Sequence, residues 1–214
     1  MTLEIPVHEW GSAGSDAPGV LLLQEIFGVS DYIKQRGADL HALGYYVIAP
    51  EIYWRLDDTE LDESAPDLLA RAMDIAHRLD WDLAVKDALA VLDGLKARGK
   101  GTAVVGFCFG GGLGYNVAAV SAPDVLVSYY GSALPRLLEL RPEAAGLHHF
   151  GNEDAFLDVD AIVPALSGAE VHRYDGAGHA FDNPLPMFHN ADASALAWRR
   201  TEDFLARHLP TTQG

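Results

Sequence analysis

The segment 106–112, GFCFGGG, contains the residue best suited to covalent chemistry, the single cysteine of the chain, Cys108. It follows an apolar run at 102–107 and precedes a run of small residues, 112–120, with helical character. Glycines beside a nucleophile permit a sharp strand-to-helix turn that raises a reactive side chain above the sheet. The start of a helix also favours the ionised form of a thiol. The pattern therefore predicts that Cys108 is a nucleophile, in a position where such turns usually carry serine.

Other interpretations of this segment are open at the level of sequence. A lone cysteine such as Cys108 is often a buried small hydrophobe without chemistry. A phosphate-binding loop would need Gly-Lys-Ser/Thr at its end, whereas Gly110 is followed by further glycines. A dinucleotide-binding GxGxxG pattern does not align through 107–109 without forcing.

Two further side chains have the chemistry to complete a catalytic set. His179 lies in 176–181, GAGHAF, and Asp154 lies in 151–154, GNED, and each segment follows a strand-like run. Histidine is the usual base for a thiol, and a carboxylate orients it. The order Cys108, Asp154, His179 is the nucleophile–acid–histidine order of α/β hydrolases, so we expect the three to converge.

Each of these assignments has an ordinary structural alternative. Asp154 could be a turn residue or helix cap, and Glu153 could serve as the acid instead. The chain has nine histidines, so only the glycine-rich setting after a strand distinguishes His179. His148 and His149 are adjacent in a strand candidate and must face opposite ways, so they cannot clamp a metal together. No HExxH or comparable spacing occurs, so the sequence predicts neither a metal nor a cofactor.

A third candidate segment is 24–28, QEIFG, at the end of an apolar run. Glu25 lies in apolar surroundings, and a buried carboxylate is costly unless it is paired. We expect it to contact a specific group, and an ion pair with a nearby Lys or Arg is the structural alternative to a catalytic role.

Strand-like runs alternate with helical patterns along the chain, which predicts an α/β fold with a mostly parallel central sheet and helices on both faces. Ligands of such sheets bind beyond the carboxyl ends of the strands. Arg55 begins an acidic, irregular segment, 55–67, which we interpret as a loop over one end of the sheet. The predicted strands are 3–10, with one wet face, and 20–26, 45–50, 102–107, 125–130, 147–150 and 171–174; the predicted helices are 30–42, 81–95, 112–120 and 191–209.

Length and charge restrict the class of protein. With 214 residues and no linker-like segment, we expect a single domain over 1–214. The formal net charge of −16 disfavours nucleic acid and anionic membranes as partners. One cysteine allows no intrachain disulfide, and no apolar run is long enough to span a bilayer. A cytoplasmic protein, monomeric or homodimeric, is expected.

Taken together, these residues resemble the dienelactone hydrolase family of the α/β-hydrolase superfamily. The resemblance spans nearly the whole chain in order, and cysteine in the nucleophile turn together with the glutamate loop separates this family from ordinary esterases. The matching segments are QEIFG (24–28), GFCFGGG (106–112), SYYG (128–131), GNEDAF (151–156), GHAF (178–181) and TEDFLARHL (201–209).

The resemblance implies a role for each candidate residue. Cys108 would be the nucleophile, His179 the general base and acid, and Asp154 the residue that orients His179. The backbone N–H groups of Ile26 and Phe109 would form the oxyanion hole. The implied reaction opens the enol-lactone dienelactone to maleylacetate through a thioester on the cysteine, and the implied partner is a small ester or lactone.

The resemblance also implies that Glu25 contacts the resting thiol and helps to generate the thiolate. In this family an arginine shortly after the histidine binds the substrate carboxylate, but 179–183 reads HAFDN and has none. Arg55 is one candidate replacement, and Arg71 and Arg78 are others.

Tyr53 and Tyr130 are candidate substrate-binding residues together with Arg55, and Trp54 is a further candidate for the pocket wall. Because the arginine after the histidine is missing, a general carboxylesterase or another lactonase is the nearest alternative function. A non-catalytic binding protein on the same fold is the alternative from another class.

Overall fold

The computed structural model describes residues 5–211, which contain one seven-stranded sheet. The strands are β1 (Val7–Trp10), β2 (Gly19–Leu23), β3 (Tyr46–Pro50), β4 (Thr102–Phe107), β5 (Val125–Tyr129), β6 (Ala145–Gly151) and β7 (Glu170–Tyr174), in the spatial order β1-β3-β2-β4-β5-β6-β7. All neighbouring strands are parallel except the edge pair β1–β3, which confirms the mostly parallel α/β sheet expected from the sequence.

Residues 5–211 also contain six α-helices: α1 (Asp31–Ala42), α2 (Leu68–Arg78), α3 (Trp81–Lys96), α4 (Phe109–Ser121), α5 (Val159–Ile162) and α6 (Ala191–His208). Helices α3 and α4 pack against each other and against the central strands, whereas α1 and α6 meet where the Arg36 guanidinium lies over the Trp198 ring. The irregular loop 55–67 leads into the amphipathic helix α2, whose bounds were not predicted from the sequence.

Three predicted boundaries were wrong in ways that matter for the site. The strand predicted over 20–26 ends at Leu23, and the strand predicted over 125–130 ends at Tyr129. Tyr130 has a left-handed φ of +39°, which ends β5. Helix α4 begins at Phe109 rather than at residue 112, because the sharp turn is confined to Cys108. Residues just beyond the strands are thereby free to face a common site.

In the edge strand β1, the covered face is the one that carries His8 and Trp10. Residues 3 and 4 of the predicted strand lie outside the described residues, and in the remainder Val7 is exposed while His8 and Trp10 are half-buried. The Trp10 ring packs on Gly37 of α1, where a Cβ would lie 2.6 Å from the indole. The larger apolar surface of the indole decides which face of the strand is covered.

Neither a membrane-spanning helix nor a metal-binding cluster is found within residues 5–211. No helix among them is long and apolar enough to cross a membrane. No group of three or more His, Cys, Asp or Glu side chains in this part of the chain is arranged to hold a metal ion.

Candidate active site

Cys108 occupies the turn between the central strand β4 and helix α4, with a φ of +50°. Its N–H donates to the Tyr129 carbonyl at 2.9 Å, which ties the turn to β5. Glycine is required on both sides: a Cβ on Gly106 would lie 2.1 Å from the Gly110 carbonyl oxygen, and one on Gly110 would lie 2.4 Å from that of Leu23. The motif thus has a steric cause, since side chains at these positions would collide with backbone.

The three predicted catalytic side chains converge. His179 Nε2 lies 3.1 Å from Cys108 Sγ, and His179 Nδ1 donates to Asp154 Oδ2 at 2.7 Å. The other Asp154 oxygen accepts from the N–H groups of Phe156 and Leu157 at 2.8 and 3.1 Å. Asp154 is therefore both the turn residue of the alternative interpretation and the partner of His179. Glu153, the other candidate acid, makes no contact with His179 among the described hydrogen bonds.

The neighbours of His179 favour its protonated form. Burial alone would lower the pKa of His179, but the negative charge of a Cys108 thiolate and the Asp154 carboxylate raise that pKa well above its usual 6.5. A cysteine nucleophile needs a base within hydrogen-bond distance, and the His179 ring lies at that distance from Sγ.

Ile26 and Phe109, whose backbone N–H groups the resemblance assigns to an oxyanion hole, line the same cavity as Cys108. Within residues 5–211, neither Ile26 N nor Phe109 N donates a hydrogen bond to another group of the chain. Ile26 is held by its carbonyl, which accepts from the Tyr53 hydroxyl at 3.1 Å. The Gly110 N–H fastens the same loop to α4 through the Gln24 carbonyl at 2.9 Å. The loop that carries Ile26 is thereby held against both Tyr53 and α4.

Glu25 is fully buried, and its partners differ from both sequence-based expectations. Oε2 accepts from Asn183 Nδ2 at 2.6 Å, and Oε1 lies 3.3 Å from the Tyr130 hydroxyl. No ion pair with Lys or Arg is found among the described residues, so that alternative was wrong. The implied contact with the resting thiol is also absent from residues 5–211, where the partner of Cys108 Sγ is His179.

A cavity of about 400 Å³ opens above Cys108. Most of its wall is apolar, and much of that comes from α2 and from loops after the strands. Arg136, in a short 3₁₀ turn after β5, is the single Lys or Arg among the lining residues. Its guanidinium lies 4.9 Å from the centre of the Trp81 ring, and none of the ion pairs formed within residues 5–211 involves it. The apolar wall includes Phe27, Leu69, Met73, Trp81, Phe156 and Phe188.

The three residues predicted to bind substrate do not line this cavity. Arg55 is paired with Asp87 and lies over the Trp54 ring, so its charge is already compensated. Tyr53 and Tyr130 are buried behind the wall, where they hold Ile26 and Glu25 in place. None of the three residues contacts the cavity, so these predictions were wrong. Both tyrosines nevertheless support residues that line it, Ile26 and Glu25.

The other two arginine candidates are also engaged elsewhere. Arg71 pairs with Asp58, and Arg78 pairs with Asp74 and donates to loop carbonyls. Arg136, which sequence analysis missed, has no motif around it. The one available signal was its place in the loop after β5, an edge of the sheet where ligands bind.

A mostly parallel sheet with a sharp turn after its central strand, here at Cys108, is the arrangement of an α/β hydrolase. The crystal structure of a Klebsiella pneumoniae protein assigned as a dienelactone hydrolase superposes with a TM-score of 0.79 at 24% identity, covering 95% of this chain and 93% of that one. A cold-adapted esterase from an Arctic intertidal metagenomic library superposes with a TM-score of 0.68 at 17% identity, over 97% and 92% of the two chains. Both likenesses concern the fold.

The sequence comparisons identify the family. The family model described as "Dienelactone hydrolase family" matches residues 7–209. The carboxymethylenebutenolidase of Pseudomonas putida is 32% identical over 91% of this chain and 87% of its own length. Carboxymethylenebutenolidase 1 of Cupriavidus pinatubonensis is 31% identical over 89% and 86%. The chain belongs to the dienelactone hydrolase family, and it is a hydrolase.

Proposed function

We propose that this chain hydrolyses a small ester or lactone through a covalent thioester on Cys108, without a cofactor. The observation that carries the proposal is the set of contacts from Cys108 Sγ to His179 and from His179 to Asp154, at 3.1 and 2.7 Å. The carboxymethylenebutenolidase relatives support a lactone as one substrate class.

Acylation begins when the Cys108 thiolate attacks the carbonyl carbon. The carbonyl electrons move to oxygen, and the resulting oxyanion accepts hydrogen bonds from the N–H groups of Ile26 and Phe109. One such donor is worth about 3–4 kcal/mol in the transition state. When the oxyanion collapses, the C–O bond of the ester breaks, and the leaving oxygen takes the proton from the His179 imidazolium. A lactone remains attached as a ring-opened thioester.

Deacylation uses the same groups in reverse. Neutral His179 takes a proton from water, and the hydroxide equivalent attacks the thioester carbonyl. Collapse of the second oxyanion breaks the C–S bond, releases the carboxylic acid and restores the thiolate beside the imidazolium. Asp154 holds Nδ1 protonated throughout, so that Nε2 always faces sulfur or water.

The cavity indicates which substrates fit. Its mostly apolar wall suits an apolar body next to the ester, and Arg136 offers a cation at the wall for a carboxylate on the substrate. Arg136 thus takes the role that the resemblance gave to an arginine after His179, where this chain has Asp182 and Asn183.

The first test measures loss of dienelactone absorbance and release of p-nitrophenol from p-nitrophenyl acetate. Wild type should turn over at least one of the two, whereas Cys108→Ala should fold and lose turnover by at least about 10⁴-fold, as removal of a nucleophile does. Mass spectrometry of the quenched wild-type reaction should show an acyl group on Cys108. Turnover by Cys108→Ala at the wild-type rate contradicts the proposal.

The second test separates anionic from neutral substrates. Arg136→Gln should raise KM for dienelactone about tenfold, because a charge-assisted hydrogen bond of about 1.5 kcal/mol is lost. It should leave KM for p-nitrophenyl acetate unchanged. Arg71→Gln, at an exposed ion pair, is the matched control and should change neither value. An equal effect of Arg136→Gln on both substrates would rule out a carboxylate site there.

A further inference from the structure

Phe156 is the one aromatic side chain among the exposed large apolar residues of the described part of the chain. Its side chain is 62% exposed, and it also lines the cavity above Cys108. Met73 of α2 is likewise exposed and lines the same cavity. Apolar surface that is left in water beside a cavity indicates a place that a ligand covers. The two side chains therefore belong to the mouth of the cavity, where a substrate enters.

The turn that carries Asp154 determines where Phe156 lies. The Phe156 N–H donates to Asp154 Oδ1 at 2.8 Å, and the Leu157 N–H donates to the same oxygen at 3.1 Å. The Leu157 side chain is buried and belongs to the hydrophobic core. Because Leu157 occupies the inward position of the turn, the Phe156 ring remains on the outer side, at the cavity and in contact with solvent.

The Phe156 ring contacts the catalytic histidine. Its centre lies 5.2 Å from the centre of the His179 ring, and the two planes are inclined by 68°, which is an edge-to-face contact. The side chain of His179 is only 9% exposed. The two rings are thus neighbours on the cavity wall, and a group that contacts His179 from the cavity lies within reach of Phe156.

The chemistry of the proposed reaction determines which part of the substrate this is. His179 gives its proton to the leaving oxygen of the ester, so that oxygen must lie within hydrogen-bond distance of Nε2. The alcohol part of the ester is bonded to this oxygen, whereas the acid part is bonded to the carbon that Cys108 attacks. The alcohol part therefore lies beside the His179 ring, and Phe156 faces it.

Phe156 and its surroundings favour an aromatic group in the alcohol part. The side chain has no polar atom, and pairs of aromatic rings attract each other beyond the effect of the area that they bury. Two further rings of the cavity wall, Phe27 and Phe188, have their centres 6.1 Å apart. The cavity of about 400 Å³ lies within the range of about 300–1000 Å³ that holds drug-sized ligands. It therefore has room for a ring in addition to the reacting ester.

We propose that Phe156 determines specificity by contacting an aromatic ring in the alcohol part of the substrate, so that aryl and arylmethyl esters are the preferred class. The inference rests on the proposed function, because the proton transfer from His179 to the leaving oxygen orients the ester. Hydrolysis of such an ester consumes one water and releases an aromatic alcohol and a carboxylic acid. In a lactone of this class, the ring oxygen is bonded to an aromatic or benzylic carbon.

Two isomeric esters test the position of the ring. Benzyl acetate has its ring in the alcohol part, and methyl phenylacetate has the same atoms with the ring in the acid part. Phe156→Ala should lower the ratio of kcat/KM for benzyl acetate to kcat/KM for methyl phenylacetate about tenfold, equivalent to about 1.4 kcal/mol. An effect through His179 acts on both esters and cancels in this ratio. An unchanged ratio would overturn the proposal, whatever happens to the rates themselves.

Two conservative variants keep the test valid if Phe156→Ala does not fold. Phe156→Tyr retains the ring and should keep the ratio within about twofold of wild type. Phe156→Leu retains an apolar side chain without a ring and should lower the ratio. The same ratio in both variants contradicts recognition of an aromatic group.

Val120→Ala is the matched control for loss of an exposed apolar side chain. Val120 is also 62% exposed, but it lies in the last turn of α4 and does not line the cavity. This variant should leave the ratio unchanged. A fall as large as that of Phe156→Ala would show that the ratio responds to general loss of apolar surface, and the proposal would be wrong.

Binding of benzyl alcohol gives a readout without turnover. An NMR titration of Cys108→Ala, followed by the signals of the His179 ring, measures its Kd. The double variant Cys108→Ala/Phe156→Ala should bind benzyl alcohol about tenfold more weakly. The same Kd in both proteins, or no binding to either, contradicts the proposal.

The two proposals fail separately. If wild type shows no turnover of either isomer that depends on Cys108, the proposed function is wrong, but the titration still decides whether Phe156 binds an aromatic alcohol. If turnover depends on Cys108 while the ratio and the Kd are the same with and without the Phe156 ring, the function stands and the role of Phe156 is wrong.

Discussion

His179 and His148 are both buried, yet their surroundings move their pKa values in opposite directions. His179 lies between a thiol and a carboxylate at the carboxyl end of the sheet, and its pKa is raised. His148 lies inside β6 with no partner for Nδ1 among the described residues, and burial lowers its pKa to about 4. Burial disfavours the charged form in both cases, so the partners decide whether a buried histidine is a cation or a neutral ring.

The same contrast holds for the regions around the two histidines. At the end of the sheet near His179, the buried carboxyl groups of Asp154 and Asp182 each have two or more hydrogen-bond partners. Near His148, the buried Ser128 hydroxyl also lacks a partner in the described structure. One region is organised to keep charge inside the protein, and the other excludes it.

The largest effect is expected when His179 loses the carboxylate of its partner Asp154. Asp154→Asn should lower kcat by about 10³–10⁴-fold, because an amide does not hold the imidazole in the tautomer that the reaction needs. The pKa of His179 should fall, since Asp154 is one of the groups that raise it. Steady-state kinetics and an NMR titration of His179 measure the two effects. A kcat within tenfold of wild type would exclude the orienting role of Asp154.

The second prediction concerns the ion pair behind the catalytic loop. Asp182→Asn leaves the Arg36 guanidinium, which is largely buried, without its main counter-charge and should lower the free energy of unfolding by about 3 kcal/mol. Asp39→Asn is the control, because Asp39 contacts the same guanidinium from a partly exposed position and should cost less than about 1 kcal/mol. Urea unfolding of the two variants measures the difference, and equal losses would contradict it.

The third prediction uses the pH dependence of stability. The folded-state pKa of His148 is lowered to about 4 from 6.5, so its contribution is fully present above pH 6.5 and is lost as pH falls toward 4. The loss amounts to about 3 kcal/mol at most, and less where other groups titrate in the same range. His148→Phe should remove this part of the acid sensitivity, with the ring still beside Phe150. Urea unfolding across that pH range should give a shallower slope for the variant. An unchanged slope would show that burial in the folded protein does not lower the pKa of His148.

Much of the site could be predicted because local chemistry requires particular residues there. The glycines around Cys108 are needed by a turn in which any Cβ would meet backbone, so they leave a pattern in the chain. Asp154 and His179 follow strands in glycine-rich turns, for which the order along the chain is informative. Arg136 leaves no such pattern, because its position depends on how the loop after β5 meets Trp81.

Short-range patterns in the chain account for the alternation of strands and helices and for the sharp turn at Cys108, because each depends on neighbours within a few positions. Tertiary contacts were needed to establish the partners of Glu25, the engagement of Arg55 with Asp87 and the inward face of β1. Those outcomes depend on residues far apart in the chain: Glu25 and Asn183 are 158 positions apart. A buried carboxylate must find a partner, but the fold selects which partner it finds.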